Sequence, residues 1–414
     1  MYISLSVLSW CSWCILVVGG IVSLVAIVEL WRRLNISLNS APLLADVPCW
    51  QGQSAIVSVV VPAYNESINI QECLRAVLAS ELPAGMTLQV IAVDDGSQDQ
   101  TRALCDAIAQ TEPRLTVLTS PPRPEGEIWL GKNWACAQAE PIIAGDYVLF
   151  IDADVRLGTD AISKAVAAMA NQGIDLLTVL PEVRCGCWSE WLVQPIMMAL
   201  LAVGFRYDEV NSPESKTAFA AGPFMLFRRS AYVSIGGHRG VASNLVEDVA
   251  LARQIKKAGL RLFCMAGFDV VFVRMYQNFA GLWEGWTKNM HMGTGRNIGQ
   301  SIYASFVIFV VFTLPWFLPT GIWLTIATFP SINSSNLLVS VAITVSWCLP
   351  LLIHLALRIW TGARFRLTWG IWLILGWLGG LLVSAITITS IIKTETGIGW
   401  TWRGRQLVKG GATD

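Results

Sequence analysis

The sequence predicts an α/β domain with a doubly wound, mostly parallel sheet, flanked by membrane-spanning helices. Three observations predict it. Runs of β-branched residues alternate with segments of helical period from Ile56 to about Asp154; acidic residues close those runs repeatedly; and long uncharged runs occupy both ends of the chain. Composition agrees: of 414 residues, 54% are hydrophobic and only 14% charged, with 19 Trp and a mean hydropathy of +0.54. These values lie outside the usual soluble range. A net charge of zero and the lack of a basic stripe argue against a nucleic-acid partner.

No charged residue precedes Glu29, so about 20 residues ending near Trp31 are long enough to span a bilayer. A secretory leader is the competing reading, but the run has neither a basic segment before it nor a small-x-small cleavage site after it. Three more uncharged runs follow, Ile302 to Phe329, Leu337 to Leu357 and Leu367 to Ile392. The loop "RIWTGARFR" between the last two carries Arg358, Arg364 and Arg366. By the positive-inside rule this loop and Arg32/Arg33 face the cytosol, and so does everything from about Asn35 to Gly299. The expected organisation is an anchor over 1–34, a cytosolic domain over 54–299 with an interfacial helix near 187–205, a membrane region over 302–392 and a basic tail over 393–414. A single final span would put Lys393, Arg403, Arg405 and Lys409 on the opposite side. Pro315 and Pro319, or Gly376, Gly379 and Gly380, would then mark a run that is not one simple crossing. Cys11 and Cys14 have CxxC spacing but sit in an apolar run without a second pair, and read as buried thiols.

Within the domain, "IVSVVVPAYNE" is a buried strand ending in a Pro turn, and "SINIQECLRAVLAS" has helical spacing with Ser67 at the N-cap. "LQVIAVDDGSQDQT" is a strand ending in acids, "TRALCDAIAQT" a helix, "RLTVLTS" a strand, "WACAQAE" a short helix and "YVLFIDADV" a fourth strand. Continuous apolar strands separated by helices place a ligand crevice at the carboxyl ends of the strands. Asp94/Asp95, Asp152/Asp154 and the segment Pro62 to Glu66 all fall at such ends. A lone strand-end Asp is also a turn former. Three groups in register favour a site, and carboxylates at i, i+2 suit a hard cation that takes its remaining ligands from a diphosphate and water.

Together, "VSVVVPAYNE", "VDDGSQDQT", "IDADV" and "VEDVALARQIKKAG" resemble the inverting family 2 glycosyltransferases, over about Ile56 to Asn289. The resemblance implies a GT-A domain that binds a nucleotide-sugar donor. It implies that Pro62, Tyr64 and Glu66 line the nucleotide pocket with Asp94 and Asp95, the latter near the base or ribose. Asp152 and Asp154 would be the metal element, with Asp154 the direct ligand of Mg2+ or Mn2+, and Asp248 would be the general base beside Glu247. The same two acids also begin a helix, where negative charge meets the positive end of its dipole. Lys132, in a Gly-Lys turn before a helix, would meet the donor diphosphate, or else is a surface lysine.

Three features point to a lipid acceptor. "CWSEWLVQPIMMALLAVGF" carries one charge and reads as an interfacial helix or a buried core helix. "GPFMLFRRSAYVSIGGH" precedes the base, with Gly222 permitting close backbone approach and Arg228/Arg229 facing headgroups or solvent. "RMYQNFAGLWEGWTKNMHMGTG" leads into the apolar region. Processive polysaccharide synthases of the family carry Gln-x-x-Arg-Trp at that place; here "EGWTKN" keeps Trp286 without the Arg, and Lys288 follows. Trp286 would stack on a sugar or anchor at the interface, and Lys288 would meet the diphosphate. "GKNWACAQA", "EGWTKN" and the tail "WRGR" are similar to bacterial, particularly cyanobacterial, carotenoid glycosyltransferases and more distantly to ceramide glucosyltransferases. This implies an integral protein of a bacterial inner or thylakoid membrane. A ceramide- or hopanoid-type glucosyltransferase, a polysaccharide synthase and an inactive membrane scaffold are the alternatives.

Overall fold

The structure, a computed structural model, describes residues 5–52, 54–320, 337–367, 370–403 and 405–406, with the side chains of 5–16, 337–343, 346–347, 371 and 405–406 outside that description. The CxxC side chains, the stretch of the expected second run beyond Thr320 and the side chain of Arg405 therefore lie outside the described residues. The described residues group into a helical unit, from Met1–Ile36, Cys185–Val203 and Tyr276–Trp400, and an α/β unit, from Ser37–Arg184, Gly204–Met275 and Thr401–Asp414.

Among the described residues the α/β unit has a two-stranded tail sheet, Thr401–Trp402 with Arg405–Gln406, and ten strands that build its body: β1 (Ala55–Ala63), β2 (Met86–Asp94), β3 (Leu115–Thr119), β4 (Tyr147–Phe150), β5 (Val155–Leu157), β6 (Leu176–Leu180), β7 (Glu182–Val183), β8 (Met225–Arg228), β9 (Leu262–Ala266) and β10 (Val271–Val273). Seven of them form one sheet in the order β3-β2-β1-β4-β8-β6-β9, and β5-β10-β7 form a small second sheet. In β1, Val57, Val59, Val60 and Val61 are all fully buried, so the strand is covered on both faces. β1 pairs in parallel with β2 on one side and β4 on the other, and β8 runs antiparallel between β4 and β6. The chain winds outward from β1 to β3 and then returns to the opposite side of β1. This reversal is a topological switch point, where the loops after β1 and β4 part and leave a crevice.

Helices Ile70–Leu78, Thr101–Ala109 and Gly131–Ala139 follow β1, β2 and β3. In the first, Ile70, Cys73, Leu74 and Val77 are fully buried at the i, i+3, i+4, i+7 spacing that selects a helix here. Its start differs from expectation: Asn69, and not Ser67, holds the N-cap position. The backbone N–H of Ser67 is drawn instead to Asp99 Oδ2 at 3.1 Å, and the turn closes through Glu66 O, which accepts from Asn69 and Ile70.

In the helical unit, Trp188–Phe205, Ile298–Thr320 and Gly376–Thr396 are long and apolar enough to cross a membrane. The lone acid of the first, Glu190, accepts from the Gly186 and Cys187 amides at 2.7 and 3.1 Å and so caps its own helix. Ser305 and Ser384 exchange side-chain-to-carbonyl hydrogen bonds between neighbouring helices, and Gly380 lies so close to Thr313 that a Cβ would overlap it. Small residues and polar contacts of this kind let apolar helices pack without a hydrophobic driving force. The run Leu367 to Ile392 is broken, as its glycines suggest, between helices Ile371–Ile374 and Gly376–Thr396.

Candidate active site

The loops at the switch point are stitched together by short polar contacts. Asn65 adopts a left-handed backbone (φ 52), and its N–H donates to Ser97 Oγ at 3.0 Å while its Oδ1 accepts from Gln98 N at 2.8 Å. The Glu66 amide donates to Thr101 Oγ1 at 2.7 Å. The loops after β1 and β2, where several of the expected nucleotide-pocket residues lie, are thus tied to one another by hydrogen bonds. Asp94 and Asp95 are both buried. Asp94 Oδ1 accepts from the Ser97 amide at 3.3 Å, and Asp95 forms an ion pair with Arg123 at 2.8 Å.

The acids after β4 meet those at the start of helix Glu247–Lys257 around Gly222. The Gly222 amide donates to Asp248 Oδ2 at 3.0 Å, and the Val249 amide donates to Asp248 Oδ1 at 2.8 Å. A Cβ at residue 222 would lie 3.0 Å from Lys132 Nζ, 3.1 Å from Asp248 Oδ2 and 3.7 Å from Asp152 Oδ2. Only glycine leaves this space open, because any side chain would enter the gap between the cation and both carboxylates. Lys132 Nζ bridges the two acidic elements, 2.7 Å from Asp152 Oδ1 and 2.7 Å from Glu247 Oε1. Asn133, fully enclosed, donates from Nδ2 to the carbonyls of Val241, Ala242 and Asn244 at 2.8 to 3.0 Å and so ties the Lys132 helix to the segment that leads to Glu247.

This crowding of acids has electrostatic consequences. Burial, with the charge of Glu247 added, pushes the Asp248 carboxyl up to about 7 against the opposing pull of Lys132 and the two amides. Burial, together with Asp152 and Glu66, pushes Asp154 up to about 8, although Arg403 and Lys132 pull the other way. Burial disfavours the Lys132 ammonium, but Asp152, Glu247 and Asp248 outweigh it and hold the group well above the ordinary lysine value. Asp154 Oδ1 is sealed from solvent and has no hydrogen-bond partner among the described residues. A carboxylate oxygen left unsatisfied beside a second carboxylate fits a divalent cation. No group of three or more His, Cys, Asp and Glu side chains clusters with metal-holding geometry among the described residues. A cation there would meet at most two carboxylates of the protein, Asp152 and Asp154, and would take its other ligands from phosphate and water oxygens.

The structure thus brings Lys132, Asp152, Asp154 and Asp248 together, with Pro62 and Asp94 at the ends of β1 and β2 and Tyr64, Glu66 and Asp95 just beyond them. Trp286 and Lys288 lie on helix Phe279–Gly293 of the helical unit and are not among the residues that the α/β unit assembles. Trp286 is buried there, donating from Nε1 to Gln194 Oε1 at 2.8 Å. Two partners escaped the sequence: Arg123 sits in a loop without periodicity, and Glu247 is the partner of Lys132. Arg403, whose tail motif "WRGR" suggested either a contact reaching back toward the crevice or a headgroup anchor, pairs with Glu66 and donates to Tyr64 O at 2.9 Å.

Residues 58–236 match the family model "Glycosyl transferase family 2". Over 242 residues, or 58% of the chain, it is 28% identical to 4,4'-diaponeurosporenoate glycosyltransferase of Staphylococcus aureus strain MRSA252. It spans 62% of the length of that relative. Among solved structures, a mannosyltransferase from Pyrobaculum calidifontis in complex with GDP-Man and Mn2+ superposes with a TM-score of 0.53 at 18% identity, covering 92% of this chain and 98% of that one. At that identity the likeness shows the fold alone.

Proposed function

Because the chain carries a family 2 glycosyltransferase domain on a GT-A fold, we propose that it moves one sugar, with inversion, from a nucleotide-sugar donor to a hydroxyl of a membrane lipid, a carotenoid by preference. The observation that carries the reading is the convergence of Asp152, Lys132 and Asp248 on the space that Gly222 leaves open. Asp248, raised to about 7, is poised to accept a proton near neutral pH. As the acceptor oxygen bonds to the anomeric carbon, its proton passes to Asp248. The bond from that carbon to the diphosphate breaks, and its electron pair leaves with the nucleoside diphosphate. A divalent cation, Mg2+ or Mn2+, held by Asp152 and Asp154 would neutralise the departing diphosphate. Lys132, placed between the acidic elements, screens the repulsion between Asp152 and Glu247, draws both toward one point and adds positive charge on the same side.

The carotenoid preference is supported by the name of the Staphylococcus aureus relative and by the motifs above. Membrane residence is supported by the three long apolar helices, and a cytosolic catalytic unit by Arg32, Arg33, Arg364 and Arg366. The full chain in detergent micelles, given Mn2+, a panel of nucleoside-diphosphate sugars and either a hydroxylated carotenoid or ceramide, is expected to yield a glycoside of the carotenoid by mass spectrometry. Product from ceramide alone would move the acceptor class, and no product from any pair would remove the enzyme reading.

Gly222→Ala tests the geometry directly. The added methyl meets flexible side-chain ends and not backbone, so the fold should survive with an unchanged melting temperature. Displacing Asp248 and Lys132 by a few tenths of an ångström is expected to lower kcat/KM by about tenfold to a hundredfold.

A further inference from the structure

The helical unit holds a second polar cluster that the transfer chemistry does not use. Arg358, on helix Leu337–Arg364, is buried to 1% and His354, one turn before it, to 0%. The Arg358 guanidinium stacks on the Trp372 ring, 4 Å or less from its centroid (3.7 Å), and donates once, to the Trp372 carbonyl. A Cβ at Gly376 would overlap the same guanidinium. The Trp316 ring stands edge-on to His354, with centroids 6.4 Å apart. Sealed from solvent and without a hydrogen-bond partner among the described residues are Arg358 Nε and Nη1, both His354 ring nitrogens, and the indole nitrogens of Trp316 and Trp372.

A buried cation ordinarily has a counter-ion, because removing it from water unpaired costs several kcal/mol. Arginine does not escape by losing its proton. Yet the sequence contains no Asp or Glu between Glu284 and Glu395, so no acid on these helices is at hand to pair with it. An ionisable residue enclosed by apolar helices marks a ligand path or site by default. The unpartnered atoms are N–H donors, apart from one imidazole nitrogen, and a set of donors is complementary to a group that only accepts. Phe312, 5.8 Å from His354 between ring centroids, supplies an apolar neighbour.

We infer that Trp316, His354, Arg358 and Trp372 form a binding site for the oxyanion head, carboxylate or phosphate, of an apolar molecule. The site is independent of the transferase reading and would stand if that reading failed. A free apolar acid and a membrane phospholipid both carry such a head, and two probe pairs separate these sources: palmitate against palmityl alcohol, and phosphatidic acid against diacylglycerol of the same chains.

Native mass spectrometry of the full chain in a neutral detergent reads retention of each probe. At least one anionic probe should be retained about tenfold or more over its neutral counterpart, the worth of one charge-assisted hydrogen bond. Preference within the palmitate pair assigns the site to apolar acids, and preference within the phosphatidic acid pair to phospholipid. Arg358→Met, of similar volume, should erase the preference, and His354→Leu, which keeps the charge, should weaken it. Equal retention of charged and neutral probes by the unaltered chain would overturn the site whether or not the variants fold. So would a preference that survives in Arg358→Met.

Discussion

Asp248→Asn is expected to lower sugar transfer by about a thousandfold, within the range general-base catalysis supplies, while donor binding changes little. Asn cannot take the acceptor's proton, but it retains the size of the side chain and one oxygen for the Gly222 or Val249 amide. The pH profile of the unaltered protein gives an independent readout. Asp248 must be ionised to act, so the rate should rise through the neutral range, with a midpoint near the value of about 7 to which burial and Glu247 raise it. The stability effect has the opposite sign. A carboxyl whose folded value is raised contributes stability below its unfolded value of about 4 and loses that contribution as pH climbs through about 7. The variant should therefore melt no lower than the parent at pH 8, which separates lost chemistry from lost folding. Glu247→Gln is the discriminating control. It weakens one side of the Lys132 bridge and should cost less; if it abolishes transfer while Asp248→Asn does not, the base is Glu247.

Much of this site was legible because its parts are local. The continuous apolar run of β1, the helical period of Ile70 to Val77 and the acids closing β2 and β4 each declare themselves within a dozen residues. Parallel packing then forces their ends to one edge, so three weak local signals become one site. The pairings across the fold were not legible. Lys132 finds Glu247, Arg123 finds Asp95 and Arg403 finds Glu66 across long stretches of chain, and a charge carries no mark of its distant partner. Asn133 was invisible for a related reason: three carbonyl acceptors are backbone atoms and leave nothing in the sequence. Trp286 was legible only as a motif that suggested stacking on a sugar or anchoring at the interface; the Gln194 oxygen that accepts from its indole N–H is a partner that helix packing supplies and the sequence does not mark.

Asp154→Asn should remove transfer by about a thousandfold or more and at the same time make the metal-free protein less sensitive to alkaline pH. Burial first, then Asp152 and Glu66, raise this carboxyl to about 8. Its favourable contribution is complete below the unfolded value of about 4 and drains away as pH rises through about 8. Metal-free protein should accordingly melt at falling temperature from pH 5 to pH 9, and the Asn variant, which has no charge to bury, should lose that part of the slope. Mn2+ or Mg2+ added with a nucleoside diphosphate should restore the parent at pH 8, because a cation bound by Asp152 and Asp154 takes the place of the missing proton. Binding at a hundred times the dissociation constant corresponds to about 2.7 kcal/mol. In the Asn variant that rise should shrink to a small fraction, since the unsatisfied Asp154 Oδ1 is the oxygen that meets the cation. An undiminished rise in melting temperature would take Asp154 out of the metal centre and leave its burial beside Asp152 as a purely structural strain.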